Sequence, residues 1–156
     1  MKPETYYLIT PLVLENTIRR LREIGVNRKI QVTIQSVSKK STKQRGLQWM
    51  WYTEVAKAGI GGKWEDTKYG VHLISKWRWA IPILIRDDEH FNDLFTAWYN
   101  LYKHDEERMR WFVEAHVHTE DFSSKQMAEF LTDFQRHYGQ LVNLTDPDDK
   151  NLLRAA

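Results

Sequence analysis

The stretch WFVEAHVHT, residues 111–119, sets Val113, Ala115 and Val117 against Glu114, His116 and His118, and its reading decides the fold class. Strict alternation places one set on each face of an extended chain, the signature of a half-buried strand. RKIQVTIQSVS (28–38) repeats the pattern, with Ile30, Val32 and Ile34 on one face and Gln31, Thr33 and Gln35 on the other. TYYLIT (5–10) reads as a short strand. AIPILIRD (80–87) reads as extended, its Pro82 pointing to an edge or a loop because proline cannot donate to a ladder. The expectation is an α+β domain, a small mixed sheet of three or four strands packed with about five helices.

The helices announce themselves through caps and stripes. Thr10 and Pro11 open PLVLENTIRRLREI, closed by Gly25, with Leu14, Thr17, Ile18, Leu21 and Ile24 on its buried face. Asp66 is placed to cap a helix over 67–78. Residues 87–104 begin with acids and end with Lys103 and His104, as the helix dipole favours, and DEERMR after them reads as a turn. SSKQMAEFLTDFQRHYG (123–139) has a serine cap, buries Met127, Phe130, Leu131, Phe134 and Tyr138, and stops at Gly139. Residues 1–143 then form a single α+β domain. Residues 144–156 are a C-terminal tail, a mobile helical turn around Leu152 and Leu153.

At 156 residues and 42% apolar side chains, one domain can close its own core. The chain has no cysteine, which excludes disulfides and thiolate metal sites. No apolar run approaches the roughly 18 residues of a membrane span. The first ten residues lack the apolar core of a signal peptide, so the cytoplasm, of a host cell if the chain is phage-encoded, is the expected compartment. The formal charge of +2 conceals a strong asymmetry. Residues 1–80 carry 15 Lys and Arg against 6 Asp and Glu, while residues 81–156 carry 8 against 15. A basic surface facing a polyanion follows from that polarity.

Residues 39–59, KKSTKQRGLQWMWYTEVAKAG, concentrate the basic half. Ser41 and Gln44 have capping-box spacing, and the glycines at 59, 61 and 62 end the helix. At 100° per residue, Gln44, Leu47, Gln48, Trp51, Val55 and Ala58 share one face, with Trp51 in the core. Arg45, Trp49, Tyr52 and Ala56 share a second. Lys39, Lys40, Lys43 and Arg45 stand at the helix start, where cations oppose the dipole, so something other than helix stability favours them there. Cations for phosphates and flat rings for bases make Lys39, Lys40, Lys43, Arg45, Trp49, Tyr52 and Lys63 candidate DNA-binding residues, while Gln44 reads first as a capping residue.

VTIQSVSKKSTKQRGLQWMWYTEVA with the later GKW resembles the NinB (Orf) family of lambda-type phage recombination proteins. The matching features are Val32–Gln35, then Ser41, Gln44 and Trp49, then the loop from Gly62 to Trp64. HTEDFSSKQMAEFLTDFQRHYG is similar to that family's second signature. The likeness covers 5–79 well and 111–139 loosely, and 80–110 departs from it. It implies a non-catalytic homodimer, without cofactor, that binds single-stranded or tailed duplex DNA, with Gln44 and Trp49 at the matching positions of the helix signature as DNA-binding residues and the basic residues around them lining the channel. Such a recombination mediator helps load a recombinase or annealing protein onto strands coated by single-stranded-DNA-binding protein.

Two other classes compete. His116 and His118, about 7 Å apart on one strand face, with Glu114 or Asp121 nearby, would suit a metal-dependent nuclease. No HExxH, HNH or cysteine pair accompanies them, and a solvated or interface pair is the favoured reading. GIGGK lacks the spacing and the following Ser/Thr of a phosphate-binding loop and reads as a turn. A protein-interaction module without DNA binding is the third class.

Overall fold

In a computed structural model, residues 6, 8, 11–25, 31–33 and 42–154 are described. Among them there is no strand, and the α+β expectation is overturned: the domain is all-α. The chain divides into two compact units, Met1–Ser36 and Val37–Ala156.

The first unit holds helix α1 (Pro11–Ile24), which begins at the expected proline. Gly25, at φ +69°, closes it in the left-handed region that glycine alone enters freely. No residue of α1 is buried: Leu14, Ile18 and Leu21 of its apolar face are exposed. Most of the two strands expected at 5–10 and 28–38 lies outside the described residues. Tyr6, Leu8 and residues 31–33, which are described, form no strand.

The second unit is built from α2 (Thr42–Ala58), α3 (Lys68–Ser75), a π-helical segment (Lys76–Ala80), α4 (Ile81–Asp87), α5 (Glu89–Tyr102), α6 (Glu106–His116) and α7 (Ser124–Tyr138). Each start has a local cause. Thr67, rather than Asp66, caps α3 by accepting from the Gly70 N–H; Asp88 caps α5 through Phe91 N–H; Asp105 caps α6 through Arg108 N–H. Ser123 and Gln126 complete a capping box at α7, the box expected there.

AIPILIRD is helical throughout, and the first six residues of WFVEAHVHT, 111–116, end α6, both against expectation. Pro82 lies in the first turn of α4, where a missing N–H is tolerated. The turn before it is wide, the Ile81 N–H reaching back five residues to Lys76 O, and the helical course runs on from 68 to 87. DEERMR is the first turn of α6 with Glu106 and Glu107 at its positive end, not a free turn. Met109, Phe112, Val113 and His116 then fall on one helical face, with Phe112 and Val113 buried.

Aromatic packing closes the core. Trp51, Tyr52, Phe112, Phe122, Phe130, Phe134 and Tyr138 are all essentially inaccessible. Trp51 lies parallel to Phe134 at 5.9 Å, and Trp98 stacks on Phe112 at 4.6 Å. The buried Glu65 accepts from Tyr138 Oη at 2.9 Å and lies 3.5 Å from Arg78, so its charge has partners.

The tail is docked. Asp149 caps a 3₁₀ turn, Lys150–Leu153, which packs on α7, and both leucines are half-buried against the core. Trp51 Nε1–H donates to Thr145 O at 2.8 Å, and Thr145 also donates from its N–H and hydroxyl to Glu54. No helix among the described residues is long and apolar enough to cross a membrane.

Candidate nucleic-acid interface

The expected binding residues divide sharply when placed on α2. Lys43 and Arg45 are exposed, and neither makes a hydrogen bond or ion pair among the described residues. Lys39, Lys40 and the Ser41 half of the expected capping box lie outside those residues. Lys63 is exposed but held by both oxygens of Glu106, at 2.7 and 2.8 Å, a surface pair of small energetic weight.

Gln44 faces inward, 3% exposed, and ties three segments together: its Nε2 donates to Leu152 O at 2.8 Å and to Ser124 O at 3.1 Å. Tyr52, expected beside Arg45 and Trp49 on the second face, is instead core. Its hydroxyl accepts from Gln48 Nε2 at 2.7 Å, its ring lies 5.5 Å from Phe134, and burial pushes its phenol far above the ordinary range. Trp51 is core as expected.

Trp49 sits between these extremes. It is half-buried, its ring stacks on the His72 imidazole at 4.9 Å and 25°, and the Lys68 ammonium stands 5.2 Å from its centroid. Its stacking partners therefore come from within the chain, and a base would have to compete with them.

Next to this face, Arg45, Gln48 and Trp49 of α2, His72 of α3 and Lys76 of the π segment line a cleft of about 330 Å³. Its other side is Glu114 of α6, His118, Thr119 and Glu120 after it, and Met127 of α7. Lys76 is 5% exposed, and burial lowers its pKa while Glu120 and Glu114 pull it back. Burial, with Lys76 beside it, lowers His72 to about 4, so its ring is neutral at pH 7, and its buried Nδ1 has no hydrogen-bond partner among the described residues. Glu114 is held below the usual carboxylate range by Tyr69 Oη at 2.8 Å and Arg110 Nε at 3.0 Å. His72 and Lys76, four residues apart on one helical course, are a pairing visible in the sequence as H-x-x-x-K; the expectation of an extended chain after 78 hid how far that course runs.

His116 and His118 do not share a strand face. His116 closes α6 against the rings of Trp111 and Phe112, while His118 lies in the extended residues beyond it. Each ring nitrogen of His118 faces a protein oxygen, Nδ1 that of Glu120 at 3.1 Å and Nε2 Ala115 O at 3.0 Å, which leaves neither open to a metal. Among the described residues no three His, Asp or Glu side chains are grouped to hold a metal ion.

A second, shallower cavity of about 550 Å³ lies where α4 meets the start of α7. There Arg86 bonds both Asp87 and Glu129, and Gln126 adds a bond to Asp87, whose carboxyl is held down to about 2 chiefly by Arg86. Those side chains satisfy one another and clamp α4 to α7. No known protein family, no curated protein and no solved structure matches this chain.

Proposed function

We propose that the chain is a non-catalytic, sequence-nonspecific DNA-binding protein, a recombination mediator of the kind the NinB resemblance implies. It acts as a homodimer that helps load a recombinase or annealing protein onto single-stranded or tailed DNA. One observation carries the reading: Lys43 and Arg45 stand exposed in the first turn of α2, where the helix dipole disfavours them, and neither is paired among the described residues. Phosphates would supply the missing counter-charge, releasing condensed counterions as they bind.

The half-buried Trp49 and the buried Tyr52 limit base stacking, so the cations carry the affinity and little sequence preference is expected. A mobility-shift series with single-stranded, duplex and tailed DNA, with and without Mg²⁺, tests this. Retarded, uncleaved DNA supports the proposal. Absence of any complex at low salt points to the protein-interaction class, and Mg²⁺-dependent cleavage lost in His118→Ala points to the nuclease.

A further inference from the structure

Burying an ammonium is costly unless a partner repays it, and Lys76 is the one charged group of the α2–α3 cleft left in that position. Its ammonium makes no hydrogen bond or ion pair among the described residues. Glu120 and Glu114 favour its charge through space without bonding to it, since Glu114 bonds Tyr69 and Arg110 and Glu120 bonds His118. The His72 ring and the exposed Arg45 line the same space, and Arg45 makes no hydrogen bond or ion pair among the described residues. Lys76 also opens the π-helical turn, a local distortion that recurs at functional positions.

We propose that this cleft is a binding site for one phosphate group carried on a nucleotide, with the Lys76 ammonium as the deep contact and Arg45 at the entrance. About 330 Å³ is ample for a phosphate with part of its sugar. A cation is the wrong occupant, because both carboxylates already have donors, while the Lys76 ammonium and the Arg45 guanidinium donate to no group among the described residues. The site stands on its own geometry, and the DNA reading enters only in the choice of a nucleotide as carrier.

The test uses the full chain with ¹⁵N-labelled histidine, following the imidazole signals of His72 and His118. The probes are inorganic phosphate, thymidine 5′-monophosphate, thymidine, and oligothymidine with and without a 5′-phosphate. Phosphate and the monophosphate are expected to shift His72 while thymidine does not. Lys76→Met should weaken the monophosphate at least about tenfold. That variant removes a buried charge and should melt no lower than the wild type; Lys76→Gln serves as the second variant, and Lys76→Arg should retain binding.

Equal displacement by both oligonucleotides identifies the strand backbone as the source of the phosphate, and a 5′-phosphate requirement identifies a strand end or free nucleotide; either supports the site. No shift at about 10 mM probe, equal shifts by thymidine, or unaltered affinity in Lys76→Met overturns it. A His72 response that persists in a protein unable to retard DNA removes the DNA reading and leaves the pocket. DNA retardation without that response does the reverse.

Discussion

Replacing Trp51 by alanine deletes the largest fully buried side chain of the second unit, together with its parallel contact to Phe134 and its 2.8 Å bond to Thr145 O. Large aromatic truncations in a packed interior cost about 3–5 kcal/mol, because the neighbours only partly collapse into the space. In a chain of this length that corresponds to roughly 10–15 °C in thermal midpoint. Trp51→Phe keeps most of the ring and loses mainly the hydrogen bond, so about 1–2 kcal/mol is expected. Trp49→Ala removes a half-buried ring stacked on His72 and should cost only about 1–2 kcal/mol. Urea denaturation followed by far-ultraviolet circular dichroism ranks the three variants. A Trp49→Ala loss as large as that of Trp51→Ala, or a Trp51→Ala loss within about 1 kcal/mol of wild type, would refute the assignment of Trp51 to the core and Trp49 to its edge.

Acid sensitivity should trace in part to His72. Its folded-state pKa of about 4 lies below the unfolded value near 6.5, so the unfolded chain takes up the proton first. The associated stability is complete above pH 6.5 and is lost as pH falls towards 4, about 1–3 kcal/mol after allowing for the accessible part of the ring. His72→Phe should flatten the midpoint between pH 7 and 4, and an unchanged slope contradicts the assignment. Gln44→Ala removes bonds to Leu152 O and Ser124 O and should cost about 1–3 kcal/mol. Amide exchange at Leu152 and Leu153 should rise in that variant, and a tail that stays equally protected is held by something else. His116→Ala should leave DNA affinity as it is, measured by fluorescence anisotropy, and a loss of binding would place that helix end in the interface.

The α7 helix was legible before any coordinates because every local signal agreed: Ser123 and Gln126 form the box, and Met127, Phe130, Leu131, Phe134 and Tyr138 are buried as one stripe. The α6 segment was not, because its alternation over 113–118 spans too few residues to exclude a helix. Extending the window back to Asp105 and Met109 exposes a cap, acidic first-turn residues and an i, i+3, i+4, i+7 stripe. Pro82 misled for a different reason. A proline that ends a strand can equally stand in the first turn of a helix, and the π turn ahead of it has no signature in composition.

Within the candidate site, the charge placement singles out Lys43 and Arg45 at the helix start, but not whether they have partners. The inward turn of Gln44 and the burial of Tyr52 depend on Leu152, Ser124 and Phe134, more than 70 residues away, and no helical wheel contains them. The cleft around Lys76 is likewise tertiary, assembled from α2, the α3–α4 course and the residues after α6.

The most direct test of the DNA reading is the salt dependence of oligothymidine binding by the wild type and by the double variant Lys43→Gln, Arg45→Gln. If these two cations each neutralise a phosphate, log affinity falls linearly with log salt, and the double variant loses about 1.4 from that slope together with affinity at every salt concentration. Binding absent at low salt, or a slope identical in the two proteins, contradicts the assignment of this helix start to DNA.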